Sequence, residues 1–199
     1  MRKRLDPETR RKMIAEAVLR LVAREGLEAA TVREVATQAG VSAGMVQHHF
    51  RTRDEMLQFA CEFMLERTRG RIGALIAALP EPKSPRMILG AMFREMQPLD
   101  ASKRDGVRVW MAFLARAVVE PELEAFMRDM HRGTHATIEE LLRRGQANGD
   151  VRPDIDVEKT AMELFAMADG LVSHVLLEHY TGDEALAVID AALDRVFAG

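Results

Sequence analysis

Apolar positions recur every three to four residues along most of the chain and never settle into strict alternation, the spacing of helices rather than strands. Met13, Ile14, Ala17, Val18, Leu21 and Val22 form the first stripe. It opens at Asp6-Pro7, a capping residue followed by proline at the first helical position, and stops at Glu25-Gly26. Thr31 opens a second segment, with Glu34 at capping-box spacing. Val32, Val35, Ala36 and Ala39 form its apolar face, and Gly40 ends it. Ser42 caps a third, very short helix, roughly 43–49, which Phe50 closes. Thr52 caps a fourth that begins with Asp54-Glu55, carboxylates well placed for the helix dipole. This helix is predicted to run to about Leu79, with Gly70 and Gly73 weakening its middle. After Pro80, Pro82 and Pro85, five more helices are predicted, at roughly 85–98, 103–119, 121–147, 157–179 and 183–197. Ser84, Asp156 and the Asn148-Gly149 stop supply the boundary signals. The pattern describes an all-α chain of about nine helices.

Composition narrows the class further. Of 199 residues, 48% are hydrophobic and 30% charged, which suits a packed globular chain and argues against disorder. No apolar run reaches the ~18 residues of a membrane span, so no membrane partner is expected. The charged start, MRKRLDPETRRK, does not read as a signal peptide, and a cytoplasmic location follows as the default. A single cysteine, Cys61, excludes an intrachain disulfide and any multi-cysteine zinc site. No nucleophile–base pair, phosphate loop, dinucleotide fingerprint or paired-carboxylate motif appears. An enzyme is therefore disfavoured, and neither a cofactor nor a metal is expected. Cys61 reads as a small core residue.

The charge is unevenly spread. Residues 1–53 carry 11 Lys and Arg against 6 Asp and Glu, a balance of +5, whereas the remainder carries 17 against 25, a balance of −8. A basic N-terminal quarter on an acidic body suggests that the N-terminus meets a polyanion. The second and third helices, joined by Ala39-Gly40-Val41-Ser42, have the layout of a helix-turn-helix. The first helix of such a pair braces on the phosphate backbone. The second enters the major groove, about 12 Å wide. At about 100° per residue, with Val46 pointing inward, Gly44 and His48 point most directly outward, flanked by Met45 and Gln47. Gln47 suits a bidentate bond to adenine and Met45 a thymine methyl. Gly44 permits close backbone approach. Thr31, Arg33, Ser42, His49 and Arg53 sit at helix ends or edges, where phosphates would lie. The tail Arg2-Lys3-Arg4 reads either as a basic arm for a groove or as a solvated terminus.

The string TVREVATQAGVSAGMVQHHFRTRDEML, residues 31–57, resembles the signature of TetR-type transcriptional regulators. The matching positions are Thr31-Val32, Ala36, Ala39-Gly40-Val41-Ser42, Phe50, Arg53 (where lysine is commoner) and Glu55-Met56-Leu57. Gln47 departs from the tyrosine found in many members, which leaves operator sequence hard to transfer. The resemblance implies that His49 and Arg53 contact phosphates, and that Ala43, Gly44, Met45, Gln47 and His48 line the groove. It further implies a homodimer on a double-stranded operator, most often a repressor released by a small-molecule effector. On this reading residues 1–53 form the DNA-binding domain and 54–199 a ligand-binding and dimerisation domain. The alternative is a helical protein-interaction module without DNA binding.

Within the body, Leu164, Met167, Leu171, Val172 and Val175 form one apolar face, and Val188 and Ala192 lie on another. These faces either pair with a second copy as a four-helix bundle or bury against their own chain. Met64, Phe93, Met96, Trp110, Phe113, Met127 and Met130 lie on inner faces that either line an effector pocket or form ordinary core. His131 and His135, one turn apart, and Asp169 are candidate polar selectors. The segments VWMAFLARAVVEPEL and MADGLVSHVL are similar to the branch that includes choline-responsive repressors of betaine synthesis. Choline is then one effector among many, and Trp110 with Asp169 would suit its cation.

Overall fold

The computed structural model describes residues 6–197; the tail Arg2-Lys3-Arg4 lies outside them. Nine α-helices and one short 3-10 turn account for most of the described chain. They are α1 (Pro7–Glu25), α2 (Val32–Ala39), α3 (Ala43–His49), α4 (Arg53–Ala77), α5 (Pro85–Met96), α6 (Ala101–Ala117), α7 (Pro121–Asn148), α8 (Val157–Leu176) and α9 (Gly182–Val196). The 3-10 turn, Leu27–Ala29, lies between α1 and α2. The all-α architecture expected from the apolar spacing is the one observed.

The chain divides into two compact units, Met1–Thr68 with Asp105–Glu124, and Arg69–Arg104 with Ala125–Gly199. In the first, the buried face of α1 (Ile14, Ala17, Val18, Leu21) packs with Val35 and Ala36 of α2, Val46 of α3 and Phe50. Met56, Leu57, Ala60 and Cys61 of α4 and Val109 and Phe113 of α6 are buried in the same unit. Cys61 has its thiol pushed up to about 12 by burial and, less, by Glu62, which keeps it protonated and inert at neutral pH. The second unit is centred on Leu89, Phe93, Ile138, Leu142, Ala161, Phe165, Ala168, Ile189 and Leu193 of α5, α7, α8 and α9.

Helix boundaries follow local chemistry. Asp6, Thr31, Ser42, Ser84 and Asp156 each accept a backbone N–H from the residue three positions on, as N-caps do. Several ends differ from expectation by a few residues, including those of α4, at Ala77, and α5, at Met96. α6 starts at Ala101 because the Asp100 carboxylate accepts the Lys103 N–H at 2.9 Å. It stops at Ala117, leaving Val118 and Val119 in an exposed turn. α8 stops at Leu176, not near His179. Glu178 turns left-handed (φ 60°), and the Arg104 guanidinium reaches the Val175 and Leu176 carbonyls at 3.5 and 3.0 Å. α9 begins at a full capping box, with Thr181 and Glu184 each accepting the other's N–H. Gly70 and Gly73 do not interrupt α4.

Gly145 marks a close approach. Its carbonyl accepts the N–H groups of Asp150 and Val151, at 2.8 and 3.0 Å, folding the chain back over the end of α7. Val151 is buried there and bridges to Phe197. A Cβ on Gly145 would run into the Val151 side chain and lie 3.5 Å from Phe197. Gly145→Ala is therefore expected to destabilise the protein by roughly 1–3 kcal/mol through overpacking. A thermal melt checks this; an unchanged or raised midpoint would contradict it.

Candidate functional site

The helix pair of the first unit is built around one turn. Gly40 takes the left-handed conformation (φ 67°). The N–H of Val41 reaches back to the Ala36 carbonyl at 3.0 Å and that of Gly40 to the Thr37 carbonyl at 3.2 Å, the bonding of a Schellman stop. Two residues later Ser42 caps α3 by accepting the Met45 N–H at 3.2 Å. Seven residues are too few for a self-sufficient helix, so α3 is held by what it buries. Val46 is fully buried and Phe50, which ends the helix, is nearly so. The opposite face is open: Ser42, Ala43, Gly44, Gln47 and His48 are exposed, while Met45 and His49 are half-buried. Thr31 and Arg33, at the start of α2, are exposed as well. The structure thus brings nine of the ten candidate DNA-contacting residues to the exposed or half-open surface of α2 and α3. The tenth, Arg53, lies at the start of α4 and is partly covered.

Arg53 has protein partners. Its Nη2 donates to the Leu27 carbonyl at 2.6 Å and its Nε to the Ala30 carbonyl at 3.1 Å, with Glu28 at 3.3 Å. It ties the start of α4 to the 3-10 turn that precedes α2. Two residues the sequence reading missed support α3 from α1. The Arg11 guanidinium stacks over Phe50 and Phe59, at 4.6 and 4.4 Å from the ring centroids, and Nη1 donates to the His49 carbonyl at 3.3 Å. Arg10 approaches the Met45 sulfur at 3.7 Å. No spacing rule marks either arginine, because on α1 they look like ordinary surface charge. The same surroundings act on His49. Burial, then His48, Arg10 and Arg11, hold the His49 imidazole below its usual ionisation range. An anion beside His49 would reverse that.

The candidate effector residues fall into both units. Met64, Trp110 and Phe113 belong to the first, and Phe93, Met96, Met127, Met130, His131 and Asp169 to the second. Phe113, Phe93 and Met127 are buried core; Met64, Met96, Trp110, Met130, His131 and Asp169 are half-buried. In the second unit α7 and α8 present polar groups to each other around Phe165. His131 and His135 approach the Phe165 ring edge-on, at 5.5 and 4.9 Å between centroids. Asp169, one turn along α8, has its pKa raised by burial, partly opposed by His131. Gln97, which closes α5, is completely buried, and its Nε2 donates to the Ala168 carbonyl of α8 at 2.9 Å. Glu95 is also buried, with Arg71 at 2.5 Å and Lys103 at 2.9 Å neutralising it. Sequence alone gives no sign that these two polar side chains go inside.

Of the candidate dimer residues, Leu164, Val172, Val175 and Ala192 are buried within the protomer, and Met167 and Leu171 are half-buried. Val188 is exposed at 46%. Other apolar or small residues share its exposure: Met162 at 58%, with Ala166 and Gly170 at the same helical spacing on α8, and Ala187 and Ala191 on α9. Among the described residues no group of three or more potential ligands is placed to hold a metal ion, and no helix is long and apolar enough to cross a membrane.

Two family profiles match the chain. Residues 14–59 match that of bacterial regulatory proteins of the tetR family, and residues 85–198 that of the BetI-type transcriptional repressor C-terminal region. The HTH-type transcriptional regulator PksA of Bacillus subtilis is 32% identical over 180 residues, covering 89% of this chain and 84% of that protein. A transcriptional regulator from Rhodococcus sp. Rha1 is 29% identical with a TM-score of 0.80, over 96% of both chains. A regulator from Saccharomonospora viridis, solved in complex with choline, shares the fold at 22% identity and a TM-score of 0.86, over 96% of this chain and all of that one. With an open, capped α3 over a buried anchor and these matches across both parts of its length, the chain belongs to the TetR family of DNA-binding transcriptional regulators, with a C-terminal region of the BetI type.

Proposed function

We propose that the protein is a homodimeric repressor that grips a palindromic operator with two copies of α3 and is released by a small-molecule effector held in its body. The observation that carries this reading is the two-faced character of α3, with Gly44, Gln47 and His48 open above a fully buried Val46. Gln47 offers the amide pair that matches adenine, Gly44 allows the backbone close to the base edges, and Met45 offers an apolar contact. Thr31, Arg33, Ser42 and His49 surround this rim as phosphate contacts. Arg53 acts by fixing the turn before α2. Residues 1–53 constitute the reading head.

The exposed strip of Met162, Ala166 and Gly170 on α8 and Ala187, Val188 and Ala191 on α9 is the surface for the second copy. The buried members of the earlier candidate set then hold each protomer's own core behind it. A dimer reads two half-sites about one turn of duplex apart. The effector site is assigned to the body, where polar groups sit among apolar ones around Phe165. The choline bound by the Saccharomonospora regulator supports a small organic cation here, with Asp169 as its counter-charge. An effector that prefers the non-binding conformation 100-fold supplies about 2.7 kcal/mol of bias against DNA.

Two experiments test this. The first selects duplexes from a randomised pool with the purified protein and measures affinity by fluorescence anisotropy across salt concentration. Gln47→Ala is expected to cost about 1–3 kcal/mol on the selected duplex with little change in salt slope, and Arg33→Ala to lower the slope by about 1. Two chains are expected per duplex. Indifference to every duplex at low salt would overturn DNA binding and favour the protein-interaction reading. The second follows pH. The His49 imidazole is held below its usual range in the free protein, and a phosphate beside it would favour its charged form, so binding takes up a proton. Affinity is expected to rise as pH falls from about 7 toward 6, across the usual imidazole range, and less so in His49→Gln. An identical pH profile in the two proteins would remove His49 from the phosphate site.

A further inference from the structure

Gln97 is 0% exposed, and its carboxamide is oriented by the backbone of α8. Nε2 donates to the Ala168 carbonyl at 2.9 Å and lies 3.5 Å from that of Phe93. A flipped amide would set oxygen against oxygen, so the Ala168 carbonyl fixes which end is the acceptor. That acceptor, Oε1, is buried and has no hydrogen-bond partner among the described residues. Buried side-chain acceptors are normally bonded, and an unbonded one raises the energy of the state that contains it. The surroundings add a second feature. At about 100° per residue, Phe165, Ala168, Asp169 and Val172 share one face of α8. Phe165 receives His131 and His135 edge-on, and the half-buried Asp169 carboxyl interacts electrostatically with His131. Arg71 and Lys103, cations of the same unit, are already engaged on buried Glu95.

We propose that Gln97 Oε1 is a specificity-determining contact for the effector, accepting a hydroxyl or amine hydrogen from a small molecule that carries no negative charge. This rests on the reading that the body binds an effector. The donor requirement follows from the fixed acceptor. The exclusion of anions follows from Asp169 on the same face of α8 and from the neutralisation of the two cations by Glu95. A site whose buried acceptor needs a donor rejects an analogue lacking one more strongly than a purely apolar site does. Gln97 thus distinguishes an alcohol or amine from its methyl isostere, and Asp169 distinguishes either from a carboxylate.

The test uses the full-length protein, its Gln97→Met variant, and three probes of similar size: choline, n-propyltrimethylammonium, in which a methyl replaces the hydroxyl, and glycine betaine, which carries a carboxylate. Calorimetric titration is expected to show choline binding the wild type at least about tenfold more tightly than either analogue. Gln97→Met is expected to erase the difference between choline and the propyl compound. The unliganded variant is expected to melt no lower than wild type, because the change removes an unbonded acceptor together with the bond to Ala168. Equal binding of choline and its methyl isostere to wild type, or a preference that survives in Gln97→Met, would overturn the proposal while leaving effector binding intact. If choline does not bind wild type, the organic-cation reading fails and the unliganded melts decide for Gln97. A midpoint at or above wild type supports an acceptor held for another donor; a clearly lower one makes Gln97 structural and overturns the proposal.

Discussion

Everything the head does depends on one seven-residue helix staying folded while most of its surface faces water. A helix that short has almost no stability of its own. α3 is held by burial of Val46, by Phe50 closing it, by the Ser42 cap and by the left-handed Gly40 that sets its angle to α2. Arg11 reinforces the far end, lying between two aromatic rings with a bond to the last helical carbonyl. Apart from Phe59 of α4, these contacts are internal to the head, and they leave Gly44, Gln47 and His48 open. Support and reading are thus divided between opposite sides of one helix, so the outward residues can vary without cost to the fold.

The second unit places buried polar groups in an otherwise apolar bundle. Glu95 is resolved internally, with two cations on one carboxylate. Gln97 is half resolved, its nitrogen bonded and its oxygen not. Asp169, half-buried, has its pKa raised by burial, with His131 opposing the shift. A bundle serving only as scaffold gains nothing from such groups, since burying an unmatched polar atom costs free energy that apolar side chains avoid. They fit the proposed sensor role, in which a ligand would supply the missing partner of Gln97.

Much of this was legible in the sequence, because it rests on local chemistry. Asp6-Pro7, Thr31, Ser42 and Ser84-Pro85 placed four helix starts correctly, since a cap acts within a single turn. The outward set on α3 followed from rotation about Val46, because one buried residue settles the orientation of a short helix. What was not legible depends on tertiary partners. The end of α8 is set by Arg104, more than seventy residues away in sequence. Arg53 carries the charge of a phosphate contact, yet its direction depends on carbonyls of a 3-10 turn that no periodicity reveals. On α8 and α9 most of the apolar stripe is buried or half-buried within the protomer, while the exposed positions, Met162 and Val188 apart, are small residues with little hydrophobic signal. The burial of Gln97, beside a proline at a helix end, has no local signature at all.

The central claim is that α3, anchored by Val46, is the element that enters the groove. Hydroxyl-radical footprinting of a selected duplex tests it most directly, comparing wild type with Val46→Asp, which unseats α3, and with circular dichroism reporting the remaining helices. The account predicts two protected patches on one side of the duplex, about one helical turn apart, and their loss in Val46→Asp while most helical signal remains. Protection that survives the loss of that anchor, or a footprint without two related patches, would contradict it.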